Sequence, residues 1–326
     1  MSSGDSKPSA YLCRRLTHDV ELALQARYNL HINEHDSILG PNEIAHLAKG
    51  SQILFVTATE SVTENLIEQL SPCLRYVATL SVGYDHIDMA AANRLGVHVL
   101  HTPDVLSQAC AEIAMMLILA ACRRGYEADQ LVRSGQWKGW SPTQLLGVGL
   151  TGRRLLIFGM GRIGREIAGR ARAFGMQIHY HNRRRLDPDL EMGAVFRENL
   201  HDALSDAYIV VVAAPGSPAL KGIINAESIA RMPDGSVLIN ISRGDLVDDE
   251  ALINALNSGK LFAAGLDVFS NEPHIDERYF ALKNVFLTPH IGSATRETRD
   301  AMGWMLVKGL EQLRQGKKPN NLISTN

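Results

Sequence analysis

Three side chains of complementary chemistry stand just beyond apolar runs that read as strands. Arg243 follows Ile239-Asn240-Ile241, Glu272 follows Leu266-Asp267-Val268, and His290 follows Phe286-Leu287-Thr288-Pro289. Ligands of open α/β sheets gather at the carboxyl ends of strands, so successive strand ends can bring all three to one crevice. Reduction of a 2-oxo acid needs such a set: a cation for the carboxylate, a proton donor for the carbonyl oxygen, and a partner that orients the donor. Each residue also has a plainer reading. Arg243 fits a surface ion pair, Glu272 a solvated turn residue before Pro273, and His290 a core histidine.

A second constellation is Gly159-Met160-Gly161-Arg162-Ile163-Gly164, with G-x-G-x-x-G spacing. It follows the apolar run Leu155-Leu156-Ile157-Phe158 and opens a helical pattern with Ile163, Ile167 and Ala171 on one face. Such a strand, turn and helix hold the pyrophosphate of a dinucleotide. Gly159 permits the tight turn, Gly161 the close approach of backbone to ligand, and Gly164 the packing of helix on strand. The helix N-terminus offers N–H groups and a partial positive charge. Gln177-Ile178-His179-Tyr180-His181 completes a βαβ unit. The competing reading is a plain glycine-rich βα turn.

The elements that must position these residues alternate along the whole chain. Strands are expected at Tyr11–Arg15, Ile53–Val56, Arg75–Thr79 and Leu95–Val99, with helices at Asp19–Tyr28, from Pro41 and at Glu64–Leu70. That pattern predicts a parallel α/β domain without a phosphate turn of its own. Thr102-Pro103-Asp104 reads as the start of a long helix, sandwiched because it is apolar nearly all round. Gly125–Gly149 carries Trp137 and Trp140 in polar sequence, which suggests an interface loop or ordinary satellite packing. Further strands are expected at Tyr208–Ala213, Ser236–Ile241, Leu261–Val268 and Val285–Leu287, with helices at Glu227–Met232 and Asp249–Leu256. A terminal helix over Thr295–Leu313 should pack back on the first domain.

The 326 residues are 45% hydrophobic, enough for two cores, and the net charge of -2 gives no field for nucleic acid or an anionic membrane. The longest apolar run, Ala109–Cys122, contains Glu112 and is too short to span a bilayer. Residues 1–10 read as a disordered tail without a signal-peptide core. Cys13, Cys73, Cys110 and Cys122 form no C-x-x-C pair, so free thiols and a cytoplasmic location are expected, with no metal.

Five motifs in order extend this reading. Ser81-Val82-Gly83-Tyr84-Asp85-His86-Ile87-Asp88, the glycine turn, Ile239-Asn240-Ile241-Ser242-Arg243-Gly244, Ala264-Gly265-Leu266-Asp267-Val268-Phe269 with Glu272-Pro273, and Thr288-Pro289-His290-Ile291-Gly292-Ser293-Ala294-Thr295 resemble the D-isomer-specific 2-hydroxyacid dehydrogenases. The likeness covers nearly all of the chain from Tyr11. Trp137–Pro142 and Arg183-Arg184 resemble the glyoxylate/hydroxypyruvate reductases within that family. The resemblance implies two doubly wound parallel-sheet α/β domains. A Rossmann-type cofactor domain (residues 102–289) would be inserted into a flavodoxin-like substrate domain (residues 1–101 and 290–326).

It also implies roles. Arg243 would hold the substrate's carboxylate and carbonyl oxygen, His290 would be the acid/base, and Glu272 would pair with its ring. The N–H groups of Val82 and Gly83 would receive the carboxylate, with Ser293 also in contact with substrate. Asp267 would face the nicotinamide carboxamide, and Arg162, Ile163, Ala214, Pro215, Ile241 and Gly292 would line the cofactor. Trp140 would reach a neighbouring subunit's site, making the chain a homodimer. An ionised Glu272 beside His290 favours the imidazolium that neutralises charge growing on the carbonyl oxygen.

The second strand of an NAD-specific site ends in Asp or Glu, but here Asn182-Arg183-Arg184-Arg185 follows. Guanidinium groups would clasp a 2′-phosphate, so NADPH is expected over NADH, with two of the three arginines on the ribose. An exposed basic turn is the bland alternative. Two departures from the family stand out. Ala214-Pro215-Gly216-Ser217-Pro218 replaces a commoner Pro-Leu-Thr-Pro and is expected to alter the adenine side only, and Asp104 stands where glycine is more usual. The functional expectation is NADPH-dependent reduction of a small 2-oxo acid, glyoxylate or hydroxypyruvate. The alternatives are a bulkier 2-oxo acid, or a dinucleotide-sensing scaffold without activity.

Overall fold

The computed structural model describes residues 7–323. By contacts the chain divides into two compact units, one formed by residues up to Leu106 with those from Ala294 on, the other by Ser107–Ser293. The first unit is built on β1 (Ser9–Leu12), β2 (Asn29–Ile32), β3 (Ile53–Val56), β4 (Tyr76–Thr79) and β5 (His98–Leu100). They form one parallel sheet in the order β2-β1-β3-β4-β5, the flavodoxin-like arrangement with its switch point between β1 and β3.

Buried residues of both parities, such as Ile53, Leu54, Phe55 and Val56, explain why these strands read as continuous apolar runs: helices cover both faces. Tyr11, Leu54, Val56, Val77 and Val99 share a core with the helices Pro41–Leu47 and Glu64–Leu70. The terminal helix, Arg296–Arg314, packs on this unit. A side chain at Gly303 would lie 2.6 Å from Val20, and one at Gly309 would lie 2.7 Å from Leu100.

The second unit has seven parallel strands: β6 (Arg154–Phe158), β7 (Gln177–His181), β8 (Val195–Phe196), β9 (Ile209–Val212), β10 (Ser236–Asn240), β11 (Leu261–Leu266) and β12 (Val285–Leu287). Their order, β12-β11-β10-β9-β6-β7-β8, is the Rossmann order, and the chain reverses direction across the sheet between β6 and β9. Leu156, Phe158, Val210, Val212 and Leu238 face one core, and Leu155, Ile157, Ile209, Val211 and Ile239 the other.

Several expected elements differ from those observed. The tail was expected to run to residue 10, but Ser9 and Ala10 lie in β1, where Ala10 is fully buried; residues 1–6 lie outside those described. Strand β2, the edge strand β8 and the helix Met89–Arg94 carried too short an apolar pattern to be singled out. The long helix begins at Ser107, not at Thr102-Pro103-Asp104. Asp104 has φ +71°, a left-handed conformation that cannot open a helix. This conformation also accounts for the glycine more usual there, since aspartate tolerates the region better than most residues. The helix Ser107–Cys122 is sandwiched within the second unit, sharing a core with β6, β10 and the helix Arg162–Ala173.

Candidate active site

Each glycine of the turn after β6 meets a different steric demand. Gly159 has φ +97°, and a Cβ there would lie 2.3 Å from the Ala214 nitrogen. It is therefore fixed both by its conformation and by the close approach of the loop after β9. A Cβ at Gly164 would fall 2.7 Å from the Gly159 carbonyl oxygen, so the helix could not seat on the strand. At Gly161 the space is open, with nothing within 4 Å, and the residue caps the helix Arg162–Ala173 with no side chain over its first N–H groups. Such a cradle fits an anionic group approaching backbone.

Asn182 ties this turn to the end of β7: its Oδ1 accepts from the Met160 N–H at 2.7 Å. The three arginines that follow are not equivalent. Arg185 is clamped by Glu191 through two hydrogen bonds, at 2.8 and 3.0 Å, and the same carboxylate accepts from the Tyr180 hydroxyl. Arg185 and Tyr180 together hold Glu191 well below the usual carboxylate range. Arg183 and Arg184 are exposed and form no ion pair or hydrogen bond among the described residues.

The loops beyond β9, β10, β11 and β12 converge. Nδ1 of His290 and Oε2 of Glu272 are hydrogen-bonded at 2.8 Å, with side-chain exposures of 42% and 32%. The other carboxylate oxygen, Oε1, accepts from the Phe269 N–H at 2.8 Å. Burial pushes the Glu272 carboxyl up. The hydrogen bond and charge of His290, the Phe269 N–H and the charge of Arg243 outweigh it, leaving the group below its ordinary value. Arg243 is thus close enough for its charge to act on Glu272. Its loop also abuts that of Phe269, since a Cβ on Gly244 would lie 1.8 Å from the Phe269 carbonyl carbon.

Asp267, 1% exposed, organises the segment carrying His290. Its Oδ1 accepts from the Thr288 hydroxyl at 2.7 Å and the Ile291 N–H at 2.8 Å, and its Oδ2 from the Gly292 N–H at 2.8 Å. Burial raises its carboxyl above the ordinary value despite these donors. These bonds place residues 290–293 with the second unit and hold His290 at φ +54°. A side chain there costs about 1–3 kcal/mol and persists only where surroundings over-determine it. Sequence reasoning missed this bracing role; Asp267 is 24 and 25 residues from Ile291 and Gly292, with β12 between, so no local spacing signals it.

The loop after β9 also differs from expectation. It was expected to matter only on the adenine side. Instead a Cβ at Gly216 would lie 2.9 Å from Cγ of Arg243, so the glycine makes room for the arginine's stem. Ala214 accepts a hydrogen bond from the Ser242 hydroxyl, tying that loop to the one bearing Arg243. Ile241 is half-buried beside them, Pro215 is exposed, and Ser293 is half-buried.

The remaining candidates lie elsewhere. Val82 and Gly83 follow β4 in the first unit. Trp140 is 81% exposed and Trp137 53% exposed, on an irregular segment after the helix Gly125–Arg133. Among the described residues no disulfide joins the cysteines, and no helix is long and apolar enough to cross a membrane.

Comparison with known proteins agrees with this geometry. Residues 115–292 match the family model for the D-isomer specific 2-hydroxyacid dehydrogenase NAD binding domain. The chain is 38% identical over 323 residues to a glyoxylate reductase of Pyrococcus furiosus, covering 98% of this chain and 96% of that protein. A glycerate dehydrogenase of Hyphomicrobium methylovorum is 37% identical over 263 residues, 80% of this chain and 82% of its own length. Among solved structures, one from Polaromonas sp. JS6 66, designated a D-isomer specific 2-hydroxyacid dehydrogenase, superposes with a TM-score of 0.94 at 62% identity, covering 98% of this chain and all of that one. An NADPH-dependent glyoxylate/hydroxypyruvate reductase of Sinorhizobium meliloti, in complex with NADP and malonate, superposes with a TM-score of 0.87 at 31% identity, covering 98% and 97%. A strand-end Arg, Glu and His beside a dinucleotide turn, on a chain that matches these proteins along its length, makes it a member of the D-isomer-specific 2-hydroxyacid dehydrogenase family.

Proposed function

We propose that this chain reduces small 2-oxo acids, glyoxylate and hydroxypyruvate, to the D-2-hydroxy acids with NADPH. The observation that carries the reading is the His290–Glu272 hydrogen bond within reach of Arg243's charge, at the carboxyl edge of the sheet that bears the glycine turn. The cradle of Gly159, Gly161 and Gly164 fits the pyrophosphate of a nicotinamide dinucleotide, whose reduced form supplies hydride when bound. Arg162, Ile163, Asn182, Ala214, Pro215, Ile241, Asp267 and Gly292 complete the cofactor's surroundings.

Arg243 holds the carboxylate and carbonyl oxygen of the substrate. The N–H groups of Val82 and Gly83 receive the carboxylate as well, with Ser293 alongside. Protonated His290 donates from Nε2 to the carbonyl oxygen as negative charge grows there, and Glu272 on Nδ1 fixes the ring. In this reading the first unit is the substrate domain and the second the cofactor domain.

The lack of an acid after β7 and the unengaged Arg183 and Arg184 support NADPH over NADH. Each charge-assisted contact contributes roughly 1.5–3 kcal/mol, so about tenfold or more in preference per arginine. Steady-state kcat/KM for a panel of 2-oxo acids with both cofactors tests the reading. The account expects NADPH to be preferred, and the double substitution of Arg183 and Arg184 by Ala to erase the preference while sparing NADH. Equal values in the native protein overturn the phosphate clasp, and a preference for branched or aryl 2-oxo acids overturns the substrate class.

A further inference from the structure

Three successive carbonyls are pinned just beyond β4. That of Ser81 accepts from the Thr102 N–H at 2.9 Å. That of Val82 accepts from Nδ1 of His101 at 2.9 Å, and that of Gly83 from the Ser81 hydroxyl at 2.7 Å. A carbonyl oxygen only accepts, so Nδ1 of His101 carries the proton. Trans peptides point N–H opposite to C=O. The N–H groups of Val82 and Gly83 therefore both face away from the His101-Thr102 segment, on the same side. No described residue accepts a hydrogen bond from either, and both residues are half-buried. Adjacent N–H groups on one side make an anion-binding concavity.

His101 is itself firmly placed. Its N–H donates to the Asn321 carbonyl at 3.1 Å, and its carbonyl accepts from Nδ2 of Asn321 at 3.1 Å. Tyr84 meets its ring edge-on, with centroids 5.8 Å apart. On the other side, Oγ1 of Thr79 bridges the Ser81 hydroxyl at 2.7 Å and Nε2 of His86 at 3.0 Å. The loop is thus braced from both flanks, but only His101 reaches the peptide whose N–H belongs to Gly83.

We propose that His101 is a positioning residue: its Nδ1–H holds the Val82–Gly83 peptide in the orientation that presents the Gly83 N–H to the substrate's carboxylate. This rests on the reading above that these N–H groups receive that carboxylate. Without the donor the peptide can turn over. The Val82 carbonyl would then face the anion, exchanging an attractive dipole for a repulsive one.

The test compares His101→Phe, which keeps a ring beside Tyr84 but no donor, with His101→Asn, whose Nδ2 sits where Nδ1 was. Two readouts are taken: KM for glyoxylate, and the calorimetric dissociation constant of oxalate in the presence of NADP+. H101F is expected to weaken both by about ten- to hundredfold, the worth of one charge-assisted hydrogen bond. KM for NADPH should not change, kcat should stay within about twofold, and H101N should restore both constants. Should H101F fail to fold, His101→Leu makes the same comparison.

Unchanged constants in the donor-less variant overturn the proposal, as does equal loss in H101N, which would assign the effect to packing. Ser81→Ala, which frees the Gly83 carbonyl, separates the two layers. If it weakens oxalate binding while H101F does not, the N–H groups still bind the carboxylate and only the role of His101 falls. If neither variant moves the oxalate constant, the carboxylate reading falls with it. The oxalate readout needs no turnover.

Discussion

A carboxylate and an imidazole 2.8 Å apart at the surface of a protein are worth little as an ion pair, because water screens them. The value of Glu272 lies in what it does to His290. It occupies Nδ1, which leaves Nε2 as the ring nitrogen open to a substrate, the donor in the proposed reaction. Glu272 itself titrates below the ordinary carboxylate range, so it stays ionised through the neutral range. The sign of a pH effect follows. In the proposed oxidation of a hydroxy acid the proton would be taken up by His290 beside this ionised carboxylate, and replacing Glu272 removes that charge. In Glu272→Gln the acid-side loss of hydroxy acid oxidation should therefore move to lower pH, read from kcat/KM profiles of both proteins. An unmoved limb would separate Glu272 from the proton chemistry.

At the scale of elements, the site depends on loops that touch after leaving neighbouring strands. The loops after β10 and β11 meet at Gly244, where even one methyl group would overlap the Phe269 backbone. Gly244→Ala should cost about 1–3 kcal/mol or more, as overpacking does. For a unit of this size that is a fall in Tm of about 2–4 °C per kcal/mol, with lost activity, measured by calorimetry and turnover. Native Tm and native rates together would mean that the two loops are not coupled.

Much of this was legible in the chain. The parity of Leu155, Leu156, Ile157 and Phe158, buried on both faces, marks a central parallel strand, and the three glycines mark the turn. Ile53–Val56, Glu64–Leu70 and Val285–Leu287 have the bounds that their apolar runs predict. What escaped depends on tertiary contact. Asn29–Ile32 is a half-exposed edge strand without an apolar run, and Asp104 hides a left-handed turn behind a helix-start signature. Which arginine of 183–185 is engaged depends on Glu191, held six residues further on by Tyr180, and no local pattern reveals that pairing.

At the scale of the molecule, the 134–150 segment exposes large apolar side chains. Trp137, Trp140 and Leu146 are 53%, 81% and 62% exposed, which a solitary soluble surface seldom tolerates in one irregular stretch. Our reading is a homodimer in which Trp140 serves the neighbour's site. Light scattering should give twice the chain mass, and Trp140→Ala should lower kcat/KM for the 2-oxo acid while the mass holds. A monomer with native kinetics would remove Trp140 from the site.

The account as a whole turns on whether the imidazole at residue 290 donates the proton. The most direct measurement is NADPH oxidation at saturating glyoxylate by the native protein and by His290→Ala, with NADPH affinity measured in both. The prediction is turnover by the native protein, a loss of order 10²-fold or more in the variant, and unchanged cofactor affinity. Tight NADPH binding without turnover in the native protein, or native rates in the variant, would contradict it.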